Sequence, residues 1–406
     1  MQQVLSGALL VLKLASLYFL VVALFALKKP KPIARANPRT KFACVIAARN
    51  EERVVGQLVE SLLRQNYPQE LFDIYVMPNN CTDHTALAAI RAGAQILRPR
   101  GDIRCKGDAL HEAFETLLQR DYDAFCVFDA DNFVEENFLA RMNDAFCAGA
   151  KAAKGAMRVK NPEDGAICGC YGLYFTCFDF FFSRARMNCG LSSKLVGTGF
   201  AVHRSVLEQS GGWNSVTIAE DAEFAAYLAE TGERVWFVPE AVTYDEAPAY
   251  VRVSLRQRRR WSSGVMDVAQ ARGSQLFSGI FEAGGARALD MLLMLLQPYF
   301  QAAGFLLTSI LLLSQPKLSQ ALALLPLSLL AGFFVMAVFA RILTAIQGEK
   351  ADLRVIFLFP LFMASWLPLN LYSLFCRTRT WQEIAHGTLS DLRRPIRQNM
   401  PSGISK

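Results

Sequence analysis

Apolar and polar positions along the chain fall into two regimes. In the first, short apolar runs alternate with segments of helical spacing. Residues 42–48 are almost wholly apolar, the pattern of a strand buried on both faces. Val54, Val55, Leu58, Val59, Leu62 and Leu63 then recur at helical spacing and predict a helix over 52–65. The alternation continues with strands predicted at 72–77, 94–97 and 124–128 and helices at 82–92 and 106–118. Such alternation argues for a parallel sheet with helices on both faces and right-handed crossovers. Ligands of such sheets bind beyond the carboxyl ends of the strands.

The second regime is one of long apolar runs, at residues 4–27, 291–313, 321–340 and 355–376. Each approaches or exceeds the ~20 residues that cross a bilayer as a helix. The first contains a single charge, Lys13, has no basic start and precedes no small-residue cleavage site, so it predicts a retained anchor. Pro360 and Pro368 make 355–376 the run expected to be irregular. Residues 168–182, crowded with aromatic side chains, predict a helix packed on core or membrane surface, with a sugar-stacking platform as the alternative. The implied division is a membrane helix at 4–27, an α/β domain at 42–249 and an amphipathic interface helix at 250–273. Three apolar runs within 289–376 and a tail at 377–406, with 400–406 expected to be disordered, complete it.

Composition agrees with this division. Hydrophobic residues make up 52% of the 406 and charged residues 19%, which excludes a disordered chain and matches the apolar runs. The net charge of +7 is concentrated. Residues 28–41 hold six basic and no acidic side chains directly after the first apolar run. That is the positive-inside signature, and it predicts an integral protein of the cell membrane with its α/β domain in the cytosol. It also excludes nucleic acid as the partner that the basic run serves. Five arginines within 377–397 draw the tail inside as well, whereas three crossings carry it outside. One late run is therefore expected to re-enter or to lie in the interface. The ten cysteines include no CxxC pair and read as small core residues.

Candidate chemistry begins where the strand at 124–128 runs into Asp129-Ala130-Asp131. Residues i and i+2 of an extended chain point to the same side, so both carboxylates meet one cation at the sheet edge. Their hard oxygens suit Mg²⁺ or Mn²⁺. Glu220 and Asp221 precede a helix predicted at 222–230, and Gln257, Arg260 and Trp261 lie in a basic stretch that starts at Arg252.

Taken in order, Asp129-Ala130-Asp131, Glu220-Asp221 and the Q-x-x-R-W of Gln257, Arg260 and Trp261 resemble the membrane glycosyltransferases of family 2. That family includes cellulose, hyaluronan, chitin and poly-N-acetylglucosamine synthases. Ala47-Ala48-Arg49-Asn50-Glu51-Glu52 resembles its first nucleotide-binding loop, and Gly197-Thr198-Gly199-Phe200 a further motif. The resemblance implies a GT-A fold, a Rossmann-like mixed α/β sheet, beside a helical transmembrane region. It implies a UDP-sugar donor held by Ala48, Asn50, Glu52, Asn79, Lys106, Asp129, Gln257 and Arg260. It implies Mg²⁺ or Mn²⁺ on Asp129 and Asp131, and catalysis by Asp221 as general base with Glu220 beside it. Trp261, Gly197, Thr198 and Gly199 would meet the acceptor. The family carries an aspartate against the uracil where this chain, matched on Cys81-Thr82-Asp83, has Asn79; asparagine keeps an acceptor for the uracil imide without the charge. Three outcomes stay open: a β-linked polysaccharide or oligosaccharide, built processively or semi-processively, with or without export; a single sugar on a lipid; or no product, from a nucleotide-sugar sensor or assembly subunit.

Overall fold

The computed structural model describes residues 2–314, 318–348 and 352–378. Its centre is an eight-stranded sheet. The chain enters through helix α1 (Gln2–Leu24) and crosses a basic extended segment to strand β1 (Phe42–Ala48). There follow α2 (Val55–Leu63), β2 (Phe72–Pro78), α3 (Thr85–Ala92), β3 (Gln95–Ile96), α4 (Lys106–Leu117) and β4 (Ala124–Asp129). The expected elements of this half are all present, with helix starts about three residues later than predicted at α2 and α3. β1 to β4 are parallel, in the order β3-β2-β1-β4. Alternate residues of β1 divide between two cores. Ala43 and Val45 face α4, while Phe42, Cys44 and Ile46 face α2, so both sides of the strand are sealed.

The other half is mixed, as the resemblance implies and unlike the parallel sheet that the alternation alone predicts. β5 (Phe133–Val134), α5 (Phe138–Cys147), β6 (Ala152–Val159), β7 (Phe200–His203), α8 (Arg204–Gln209), α9 (Glu220–Glu230) and β8 (Val235–Asp245) belong to it. Between β6 and β7 run α6 (Ala166–Cys177), a π-helical stretch Phe178–Arg184 and α7 (Ala185–Asn188). The sheet continues β4-β7-β6-β8-β5, with β7 antiparallel to both neighbours and β6 parallel to β8. A bulge at Gly155/Ala156 shifts the β6–β8 register.

The C-terminal part is helical: α10 (Val251–Gly279), α11 (Gly285–Leu313), α12 (Leu318–Gln347), α13 (Leu353–Ala364) and α14 (Trp366–Phe375). α10 runs to Gly279, six residues beyond the interface helix that the sequence predicts, and α11 starts before its apolar run. Among the described residues, five helical stretches are long and apolar enough to cross a membrane: Gly7–Leu27, Ala166–Asn188, Gly285–Leu313, Leu318–Gln347 and Leu353–Phe375. The sequence pattern singled out four. Ala166–Asn188 escaped because Asp179, Arg184 and Arg186 interrupt it, and it packs on β6 and α13. The run expected to be irregular is broken between α13 and α14 at Ser365. Pro368 removes the amide that would bond the carbonyl of Ala364. Buried Arg258 of α10 reaches this break, donating to the Phe362 carbonyl (2.9 Å) and Ser365 Oγ (2.7 Å). Of the tail, only Arg377 and Thr378 are described; Arg377 binds Asp267 of α10 at 2.9 Å, and the expectation for 400–406 lies outside the described residues.

α1 is fastened to this assembly by a buried cluster. Arg186 forms a two-pronged pair with Asp290 of α11 (2.9 and 3.1 Å), and Tyr18 of α1 donates to the same carboxylate at 2.8 Å. Arg186 and Asp290 are 2% and 1% exposed, so the charges survive burial only through each other.

Candidate functional site

The carboxyl ends of β1, β2 and β4 open into one cleft of about 3820 Å³. Two loops form its first wall. Asn50, after β1, and Asn80, after β2, both adopt left-handed backbone (φ 57° and 47°), a conformation asparagine tolerates better than most residues. Asn50 Oδ1 accepts the Thr82 amide at 2.8 Å, and Glu52 accepts the amide of His84 at 2.7 Å. Asn50 and Glu52 therefore lock the two loops together beside the cleft, while Ala48, Arg49 and Glu51 line it. Asn79 lines the cleft, is 6% exposed, and its buried Oδ1 has no hydrogen-bond partner. An unsatisfied buried acceptor is costly, and a donor arriving in the cleft would satisfy it.

The acidic edge lies at the end of β4. Lys106, the first residue of α4, donates to Asp129 Oδ1 and to the Gly197 carbonyl, both at 2.5 Å, with Glu220 3.8 Å away. Burial alone would lower the Lys106 pKa, but the Asp129 and Glu220 charges outweigh it and raise it. Burial pushes the Glu220 carboxyl up to about 7 against the pull of Lys106. The Asp221 carboxylate accepts the Gly197 amide, which brings the residues around 197 and 221 to one point. Thr198 has its hydroxyl engaged with Asn132 Oδ1 and the Asp129 amide, so it braces the Asp129 turn. Gly199 lies behind the cleft wall at φ +62°, with Thr243 where a Cβ would stand.

Asp131 lines the cleft with Asp129, and sequence reasoning missed their neighbours Asp245 and Glu246. Asp245 accepts from Asn132 Nδ2 at 3.0 Å; burial, then the charges of Asp131 and Asp129, hold its carboxyl well above the usual range. Lys160 binds the Asp131 carbonyl (2.8 Å) and Glu246 (3.2 Å). This concentration of hard oxygens and negative charge fits Mg²⁺ or Mn²⁺. Among the described residues no three His, Cys, Asp or Glu side chains close a full cage. A two-carboxylate site completed by phosphate oxygens and water needs none.

α10 supplies the opposite wall. Gln257, Arg260 and Trp261 line the cleft; Gln257 Oε1 is buried without a partner, and Arg260 makes no ion pair among the described residues. Trp261 lies in an aromatic stack with Tyr174 of α6 (centroids 6.4 Å, 17°) and Trp366 of α14 (6.4 Å, 19°). Tyr174 belongs to the aromatic stretch 168–182, for which the sequence left a sugar-stacking platform as an alternative; Trp366 was not singled out, its only signal being membership of an apolar run. Beyond the stack the cleft continues between helices, along Phe19 of α1, Lys194, and Met294, Pro298, Gly304 and Phe305 of α11.

Comparison with known proteins accords with this geometry. The profile of the family described as "Glycosyltransferase like family 2" matches residues 38–264. A probable glycosyltransferase, YdaM, of Bacillus subtilis is 29% identical over 236 residues, 55% of either chain. A beta-monoglucosyldiacylglycerol synthase of Synechocystis is 28% identical over 244 residues, 57% of this chain and 49% of its own. The chain thus spans about half the length of the curated relatives it matches. A mannosyltransferase of Pyrobaculum calidifontis, solved with GDP-Man and Mn²⁺, shares the fold at a TM-score of 0.58 and 19% identity, over 91% of this chain and 99% of its own.

Proposed function

Because the chain belongs to glycosyltransferase family 2, we propose that it is an inverting enzyme that passes one sugar from a nucleoside diphosphate, with UDP the expected carrier, to a hydroxyl of a membrane lipid. The observation that carries this reading is the continuity of the cleft. The same cavity is lined by Asp129 and Asp221 at one end and by Met294, Pro298 and Phe305 of an apolar helix at the other. A lipid can then keep its chains among the helices while its head reaches the acidic edge. The name of the Synechocystis relative, a glucosyldiacylglycerol synthase, supports a lipid acceptor.

In the mechanism, Asn79 and the β1 loop seat the base, with Asn79 Oδ1 accepting from its imide. Lys106 and Arg260 face the diphosphate, and Gln257 adds an amide. When bound on Asp129 and Asp131, Mg²⁺ or Mn²⁺ would neutralise charge on the departing diphosphate. Asp221 takes the proton of the acceptor hydroxyl as its oxygen bonds the anomeric carbon from the face opposite the leaving oxygen. The carbon–phosphate-oxygen bond breaks, the nucleoside diphosphate leaves, and an α-linked donor yields a β-linked product. The Gly197 amide holds the Asp221 carboxylate in place. Glu220 restrains Lys106.

The helices are read as membrane spans, with the α/β domain on the cytosolic side of the cell membrane, on the strength of residues 28–41. The stack of Trp261, Tyr174 and Trp366 favours a second reading, in which the acceptor is the end of a growing glycan, since sugar faces pack well on aromatic rings. Incubating the purified full chain in lipid vesicles with labelled UDP-glucose, UDP-N-acetylglucosamine, UDP-galactose, UDP-glucuronate and GDP-mannose separates the two. Label extracted into organic solvent supports the lipid reading; label confined to a water-soluble or insoluble polymer rejects it.

A further inference from the structure

Resting on the lipid reading above, the geometry points to a second anion site in the cleft, at Lys194, which takes the phosphodiester of a lipid headgroup while a hydroxyl of that headgroup faces Asp221. The donor diphosphate has its own cations at the other end, Lys106 and Arg260. Lys194 lies three residues before Gly197, whose amide binds the Asp221 carboxylate, and the charge of Asp221 acts on it. It lines the cleft where α1 and α11 enter, together with Phe19, Phe182 and Met294.

The charge balance singles it out. Arg186, its cationic neighbour, is fully committed to Asp290 through both prongs. Lys194 has no carboxylate within ion-pair distance among the described residues, and its ammonium lies 5.3 Å from the centre of the Phe182 ring. Arg186 and Asp290 cancel as a contact pair, which leaves Lys194 beside them in a largely apolar recess, drawn by Asp221 only at longer range. Burial and the Arg186 charge push its pKa down to about 8 against the pull of Asp290 and Asp221, neither of which forms an ion pair with it. A half-buried ammonium with no carboxylate in contact gains from an anion that joins it. Lysine answers a phosphate as a point charge, without needing the two-pronged geometry of arginine.

The acceptor so defined carries a phosphodiester, at least one headgroup hydroxyl and acyl chains, in contrast to the uncharged lipid named by the Synechocystis relative. The test uses the full chain in detergent, titrated calorimetrically with three probes: short-chain phosphatidylglycerol, short-chain diacylglycerol and glycerol 3-phosphate. The first carries phosphate and tail, the second only tail, the third only phosphate. Wild type should bind phosphatidylglycerol about tenfold or more tighter than either other probe, the range of one charge-assisted bond. Lys194→Gln should abolish that preference, Lys194→Arg should keep most of it, and UDP binding should be unchanged in both. Equal affinity for phosphatidylglycerol and diacylglycerol in wild type, or a preference that survives in Lys194→Gln, overturns the site. Glycerol 3-phosphate binding as tightly as phosphatidylglycerol overturns its assignment to a lipid. If the lipid preference behaves as stated while sugar is transferred only to a glycan, the anion site stands and the lipid-acceptor reading fails.

Discussion

The two ends of the cleft are built on different terms. At the donor end, polar groups hold one another: Lys106 on Asp129, Thr198 and Asn132 under the Asp129 turn, the Gly197 amide on Asp221. At the membrane end, Lys194 lacks a counter-ion and Trp261, Tyr174 and Trp366 stack in an apolar recess. A densely cross-braced end suits an invariant task, the departure of a nucleoside diphosphate, where pre-set dipoles and charges matter most. On the proposed reading, the end made of helix faces and a cation without a contacting carboxylate sets which acceptor enters. On that reading, chemistry and acceptor choice are separable along one cavity.

That separation can be broken first at the donor end. Asp221→Asn removes the proton acceptor, and kcat should fall by about 10²–10⁴-fold with donor affinity retained, as read by initial rates and nucleotide titration. A biological role that survives intact in this variant would favour the non-catalytic sensor instead. Second in size is Asp290→Asn, which leaves Arg186 buried without its partner. Thermal unfolding should show a loss of about 3–5 kcal/mol, because the buried guanidinium is left without its counter-charge.

The third test sharpens the membrane end by pH. Arg186, Asp290 and Asp221 are the charged groups that act on Lys194. Its pKa in the fold, about 8, lies below the ordinary lysine value, so it is charged below pH 8 and neutral above. A phosphodiester stays charged throughout this range. Affinity for phosphatidylglycerol should be flat below pH 8 and fall by up to about tenfold per pH unit above it, a slope of one proton. Diacylglycerol affinity should show no such break. The smallest effect is that of Trp261→Ala, which should raise the acceptor KM by about 3- to 10-fold and leave the donor KM alone, the scale of one aromatic contact.

The same contrast explains what could be read from the chain. Asp129-Ala130-Asp131 is contiguous and follows a strand whose apolar run is unmistakable, so its place at the sheet edge follows from local pattern. Glu220-Asp221 and Gln257 to Trp261 are short motifs as well, and the ordered set carried the family. Asn50, Glu52, Thr198 and Gly199 were legible as motif members but not in their roles, because a motif does not say which side chain faces the ligand. Here they brace loops and turns. Asp245 was hidden because it reaches the acidic edge only through the β6–β8 pairing. Tyr174 and Trp366 meet only through the packing of α6 on the C-terminal helices, and Lys194 stands in an irregular segment before β7, so neither arrangement leaves a periodicity in the sequence. The antiparallel β7 was missed for a related reason: it is a four-residue strand after a long helical excursion.

The central claim, that the acceptor is a lipid and receives one sugar, is tested most directly by pulse-labelling the chain in phosphatidylglycerol-containing vesicles and weighing the product by mass spectrometry. The account predicts lipid masses raised by a single sugar, β-linked, from the first turnover onward. A ladder of sugar additions on one acceptor, or label wholly outside the lipid fraction, would contradict it.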